Sequence, residues 1–131
     1  MKKMTLVRRS ASWTVVLVVL VSVAGLLFTA CGSSGTERIT ESPLLAQGES
    51  WSYIFPSAGT YEIRCSPHGG MLQTITVSGD GTVVAGAIAA QMQDSQFAPQ
   101  QLEVTAGGSV VWTNRDATRH NVVVNRVVSA G

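Results

Sequence analysis

Residues 59–71 read Gly-Thr-Tyr-Glu-Ile-Arg-Cys-Ser-Pro-His-Gly-Gly-Met and place a thiol, an imidazole and a thioether close together, at Cys65, His68 and Met71. Thiolate and thioether are soft donors. With two imidazoles in a trigonal set and a long axial Met, they form the arrangement in which copper exchanges single electrons. The stretch supplies one imidazole. The only other histidine in the chain is His120. Both histidines, a thiol and a methionine can therefore be assigned to one site. Zinc would accept Cys65, His68 and His120, but Met is a poor zinc ligand.

These donors need rigid elements to hold them. In residues 60–65 the side chains alternate, so Cys65 shares a face with Tyr61 and Ile63 while Thr60, Glu62 and Arg64 face away. A strand thus delivers Cys65 to the edge of a core, and Pro-His-Gly-Gly reads as the turn that follows. Trp51, Tyr53 and Phe55 alternate with Ser50 and Ser52 as an aromatic-faced strand, and residues 72–77 are again β-rich. These three segments are expected to form a meander. Ser78-Gly79-Asp80-Gly81 is the strongest turn signal. Residues 82–92 read as a strand, 97–100 as a loop, and Leu102 and Val104 as one face of a further strand. Residues 106–108 read as a turn, 109–113 as a strand, 114–119 as a polar loop and 122–128 as a strand, with His120 and Asn121 leading into the last. Short strands with Gly/Pro turns and no sustained helical period predict an all-β sandwich of two sheets.

The chain has 131 residues, room for one domain and a targeting segment. Residues 1–30 match a secretory signal: Lys2, Lys3, Arg8 and Arg9 precede an apolar run, and small Ala30 precedes Cys31. Leu27-Phe28-Thr29-Ala30-Cys31 resembles a bacterial lipobox, in which the cysteine receives lipid; Phe28 departs from the usual residue there. An uncleaved membrane anchor is the alternative, because the run is near the ~18–20 residues that span a bilayer. Both place the soluble part outside the cytoplasm, in the envelope or at the outer surface. Residues 31–43 read as a flexible tether and 44–131 as the folded domain. After Cys31 there are five arginines, no lysine and eight carboxylates. That mildly acidic balance has no footprint for nucleic acid. With Cys31 lipidated, Cys65 is the sole thiol and no internal disulfide can form.

Phe97-Ala98-Pro99, Leu102-Glu103-Val104-Thr105-Ala106-Gly107, Val111-Trp112-Thr113-Asn114-Arg115-Asp116 and His120-Asn121-Val122-Val123 resemble the N-terminal half of a small cupredoxin of the plastocyanin/amicyanin type. Gly48-Glu49-Ser50-Trp51-Ser52-Tyr53, Gly59-Thr60-Tyr61, Cys65-Ser66-Pro67-His68 and Met71 resemble its C-terminal half, with Cys-x₂-His-x₂-Met as its short ligand loop. The halves are exchanged relative to the family, so the domain reads as circularly permuted. A fragment of two tandem domains is the alternative. The new termini are expected before Trp51 and after residue 128, at the end of the sandwich away from the metal, where a lipid anchor would leave the site open.

The resemblance implies a Greek-key sandwich with one copper ion, cycling between Cu(I) and Cu(II), on Cys65, His68, His120 and Met71. It also implies that Asn121 ties the two ligand loops together. Pro67 stiffens the ligand turn and removes a donor near the sulfur. Gly69 and Gly70 leave the His68 edge uncovered as an electron port, against which redox protein partners would dock. Arg64, Arg115 and Arg119 flank ligands and would favour an acidic partner, or are solvated surface. Tyr61 and Trp112 read as core. The expected function is a monomeric one-electron carrier, membrane-bound through Cys31. The rival is an envelope copper sequestration or delivery protein. An enzyme is disfavoured, because no histidine remains for substrate or a second copper.

Overall fold

The computed structural model describes residues 34–79 and 86–129. Nine strands among these residues form two sheets. They are β1 (Gly35–Glu41), β2 (Ser50–Ile54), β3 (Gly59–Cys65), β4 (His68–Ser78), β5 (Ile88–Gln93), β6 (Gln96–Ala98), β7 (Gln101–Thr105), β8 (Ser109–Asn114) and β9 (Val123–Val128). One sheet has the order β1-β9-β3-β4-β7 and the other β2-β8-β5-β6. The expected all-β, two-sheet architecture, consistent with a cupredoxin-like sandwich, is present. No described helix is long and apolar enough to cross a membrane. The leader and Cys31 lie outside the described residues.

Alternation builds the core between the sheets. In β3 Tyr61, Ile63 and Cys65 are buried, and in β4 Met71, Gln73, Ile75 and Val77 are buried while their neighbours are exposed. Each buried aliphatic side chain stabilises the fold by about 1.5–3 kcal/mol through removal of apolar surface from water. From the facing sheet come Phe55, Val110 and Trp112, all fully buried. Phe55 meets Tyr61 edge-on at 4.9 Å across the sandwich, and Trp112 stacks on Trp51 at 5.9 Å. The indole N–H of Trp112 donates to Gln73 Oε1 at 2.8 Å, and the amide of Gln73 donates to Pro99 O at 2.7 Å. This buried polar chain ties β8, β4 and the entry to β7 together.

Several expectations need correction. Of the stretch read as a tether, residues 35–41 form β1, antiparallel to β9 from Gly35↔Val128 to Glu41↔Val123. Its Thr and Ile residues suit a strand, and it covers what would otherwise be an exposed edge of β9. Residues 31–33 lie outside the described residues. The meander does not form. β3 and β4 pair, but β2 lies in the other sheet and pairs with β8, Trp51 opposite Trp112, and the chain crosses to β3 only after Phe55. The aromatic face of β2 lies against the indole of Trp112, with the Trp51 and Trp112 ring centroids 5.9 Å apart. The turn after Cys65 is only Ser66-Pro67, with β4 starting at His68. Residues 97 and 98 of the expected loop belong instead to β6, which pairs with β5. Of the strand expected over 82–92, β5 occupies Ile88–Gln93, while residues 82–85 lie outside the described residues.

Strand directions put all the candidate donors at one end. β3 runs towards that end and β4 away from it, and β5 returns beside β8 in parallel. The chain just before Trp51 was expected at the far end, but it lies at the donor end. There the N–H of Gly48 donates to Asn114 O at 2.7 Å and the N–H of Asn114 to Glu49 O at 2.9 Å. β1 is what returns the chain to the far end, at Gly35.

Candidate metal centre

Cys65 closes β3 and His68 opens β4, opposite each other across the Ser66-Pro67 turn. The ladder steps from Arg64↔Leu72 to Cys65↔His68, so residues 69–71 have no opposite number in β3. This excursion swings the His68 ring over the end of the sandwich, towards Cys65. Proline in the turn supplies a preset φ and no N–H of its own.

His120 arrives from the loop between β8 and β9. Its backbone is held on both sides by Leu45, whose N–H donates to His120 O at 2.7 Å and whose O accepts the N–H of His120 at 3.3 Å. The ring is fully buried, Cys65 is 2% exposed, and His68 is half-buried. The Nε2 of His120 lies 2.8 Å from Asp116 Oδ2.

Three donor atoms converge. Cys65 Sγ lies 3.5 Å from His68 Nδ1 and 3.7 Å from His120 Nδ1, and the two Nδ1 atoms are 3.1 Å apart. A triangle with those edges has its centre ~2.0 Å from each corner, the length of a metal–imidazole bond (~2.0–2.1 Å). The residues therefore fit a metal ion, and one thiolate with two imidazoles fits copper. Met71, read as the axial ligand, is fully buried near the start of β4, as the last residue of the excursion. Gly69 and Gly70 are exposed beside His68, and a Cβ built on either meets nothing within 4 Å.

Asn121 links the segment that carries Cys65 to the segment that carries His120. Its Oδ1 accepts the N–H of Ser66 at 2.7 Å, and its Nδ2 donates to Glu41 Oε1 at 2.7 Å. Ser66 Oγ also reaches Glu41 Oε1, at 3.2 Å. Pro67 is exposed on the same turn. Arg64, Arg115 and Arg119 are exposed, and Arg64 pairs with Glu62 on the outer face of its sheet, away from Cys65.

Two participants were not legible in the sequence. Glu41 sat in the supposed tether, and Asp116 in a polar loop with no periodicity. The available signal for Asp116 was its place four residues before His120. Its carboxylate accepts the N–H of Asp94 at 2.8 Å and of Ser95 at 2.9 Å. The bond from Ser95 holds its pKa below the ordinary aspartate value, helped by the bonds from Asp94 and His120 and opposed by partial desolvation.

Residues 28–78 match the model of a family described as copper binding proteins, plastocyanin/azurin family. The match includes Cys65, His68 and Met71 and ends before His120. No curated protein and no solved structure gives a significant match. The family match and the Cys65/His68/His120 group together support a cupredoxin, that is, a copper-binding protein.

Proposed function

We propose that this chain is a type 1 copper protein that carries single electrons, holding one ion through Cys65 Sγ, His68 Nδ1 and His120 Nδ1 with Met71 as a weak fourth ligand. The convergence of one sulfur and two imidazole nitrogens within 3.7 Å carries this reading. Copper, when bound, supplies a one-electron couple between Cu(I) and Cu(II). The protein's part is to keep the donors nearly fixed, so that little rearrangement accompanies transfer. β3 and β4 fix Cys65 and His68, the Leu45 bridge fixes His120, and burial of Cys65 and His120 excludes water. His68 is the ligand with an exposed edge, flanked by Gly69 and Gly70, and serves as the port for a redox protein partner. We read the protein as a carrier rather than an enzyme, because the site uses both histidines of the chain.

The order of the ligands, with Cys65, His68 and Met71 ahead of His120, is read as a circular permutation. The directions of β4 and β5 support it, since a short link at the far end suffices to join them. Residues 1–30 are read as an export leader and Cys31 as a lipid attachment point, which places the carrier in the cell envelope. β1 begins at the end remote from His120; a chain entering there leaves the His68 face free.

Copper titration of the purified, dilute protein tests the reading. The expected result is one equivalent bound per monomer with intense blue absorption, abolished in Cys65→Ser and shifted in Met71→Leu. A colourless complex overturns it. Slow electron self-exchange in a blue protein would point to copper storage or delivery instead.

A further inference from the structure

We propose that Asp116 is the residue that selects which nitrogen of His120 faces the metal, and that the β5–β6 turn serves to hold Asp116 in place. The inference rests on the ligand set assigned to the copper site. A neutral imidazole carries its proton on one of two nitrogens, and a metal requires the other. His120 is fully buried, so water does not decide between them. Its Nε2 lies 2.8 Å from Asp116 Oδ2, and an ionised carboxylate only accepts. The proton is therefore on Nε2, and the lone pair of Nδ1 points at Cys65 Sγ and His68 Nδ1.

The carboxylate is in turn held from two sides. On one side its backbone N–H donates to Asn114 Oδ1 at 2.9 Å, while Asn114 Nδ2 donates to Leu45 O and Thr118 O, each at 2.9 Å. On the other side the N–H groups of Asp94 and Ser95 converge on its two oxygens. Asp94 and Ser95 have φ of 54° and 57°. That conformation disfavours residues other than glycine, but it is the one that lets a two-residue hairpin aim successive N–H groups at one anion. Three N–H donors thus meet one carboxylate. An amide in its place offers a single accepting oxygen. Asn at 116 must lose turn contacts or present its NH₂ to His120, which moves the imidazole proton to Nδ1.

The test is nitrogen NMR of the metal-free, histidine-labelled full chain, with the pH raised until the ring signals stop changing. The native protein is expected to show His120 protonated on Nε2 alone. Asp116→Asn is expected to populate the Nδ1–H form, weaken copper binding by about 10- to 100-fold and raise the reduction potential. Replacing both Asp94 and Ser95 by glycine keeps the two N–H groups and is expected to keep the Nε2–H tautomer. A native His120 carrying its proton on Nδ1 overturns the proposal even if Asp116→Asn fails to fold. So does an Asp116→Asn protein with unchanged tautomer and potential. Failure of the native protein to turn blue with copper would sink the carrier reading and leave the tautomer result standing.

Discussion

The backbone N–H of Ser66 donates to Asn121 Oδ1 at 2.7 Å across 55 positions of sequence. One bond thereby joins the residue after Cys65 to the residue after His120. Asn121 is 3% exposed, and removing its side chain takes the partner from the Ser66 N–H and leaves a gap behind the ligand turn. Asn121→Ala is expected to lower the stability of the metal-free protein by about 1–3 kcal/mol, read from the denaturant midpoint. The copper-loaded protein should also show a broader or shifted blue band, because Cys65 and His120 are no longer tied.

Glu41 extends the same tie to β1. Its Oε1 accepts from both Asn121 and Ser66, while Oε2 pairs with Arg38 at 2.9 Å. The two halves of this carboxylate should differ in worth. Arg38 is well exposed, and its loss in Arg38→Ala should change stability by less than about 0.5 kcal/mol. Glu41→Ala should cost about 1 kcal/mol and Glu41→Gln much less, since the amide oxygen still accepts. Equal effects of Arg38→Ala and Glu41→Ala would count against a role for β1 at the site.

Gly70 offers a test of the port. It is exposed, and a Cβ there enters open space without backbone strain. Gly70→Phe is expected to leave the blue spectrum unchanged and to slow electron exchange with a protein partner several-fold. An unchanged rate would place the port elsewhere.

Asp116 should make the metal-free fold acid-sensitive. Its carboxyl is held below the ordinary aspartate value, chiefly by the N–H of Ser95. Its stabilising contribution is therefore present above the unfolded value, about pH 3.9, and is lost as pH falls from there through the lower folded value. Thermal melts across this range should show a steeper decline for the native protein than for Asp116→Asn.

The candidate ligands stood out in the sequence because their residue types are scarce. With two histidines and one thiol beyond Cys31, few assignments were open, and the alternation over residues 60–65 gave Cys65 its face. The two-sheet architecture followed from strand and turn signals. What escaped is set by distant partners. Residues 35–41 read as tether because polar Thr, Glu and Arg dominate them, and β9, against which they pair, lies more than 80 positions away. The place of β2 depended on Trp112, not on its neighbour β3. The part played by Asp116 depended on a turn at residues 94–95 that no local pattern connects to His120.

The excursion between Cys65 and Leu72 stands outside the pairing that builds the sheet. The ladder from Gly59↔Val77 to Arg64↔Leu72 is complete without it, and residues 69 and 70 touch open space. Exchanges there would alter the exposed surroundings of His68, and only insertions the approach of Met71, while the sheet kept its register. Under the proposed carrier function, the surface offered to a partner is therefore adjustable through a handful of codons, with the scaffold passed on intact.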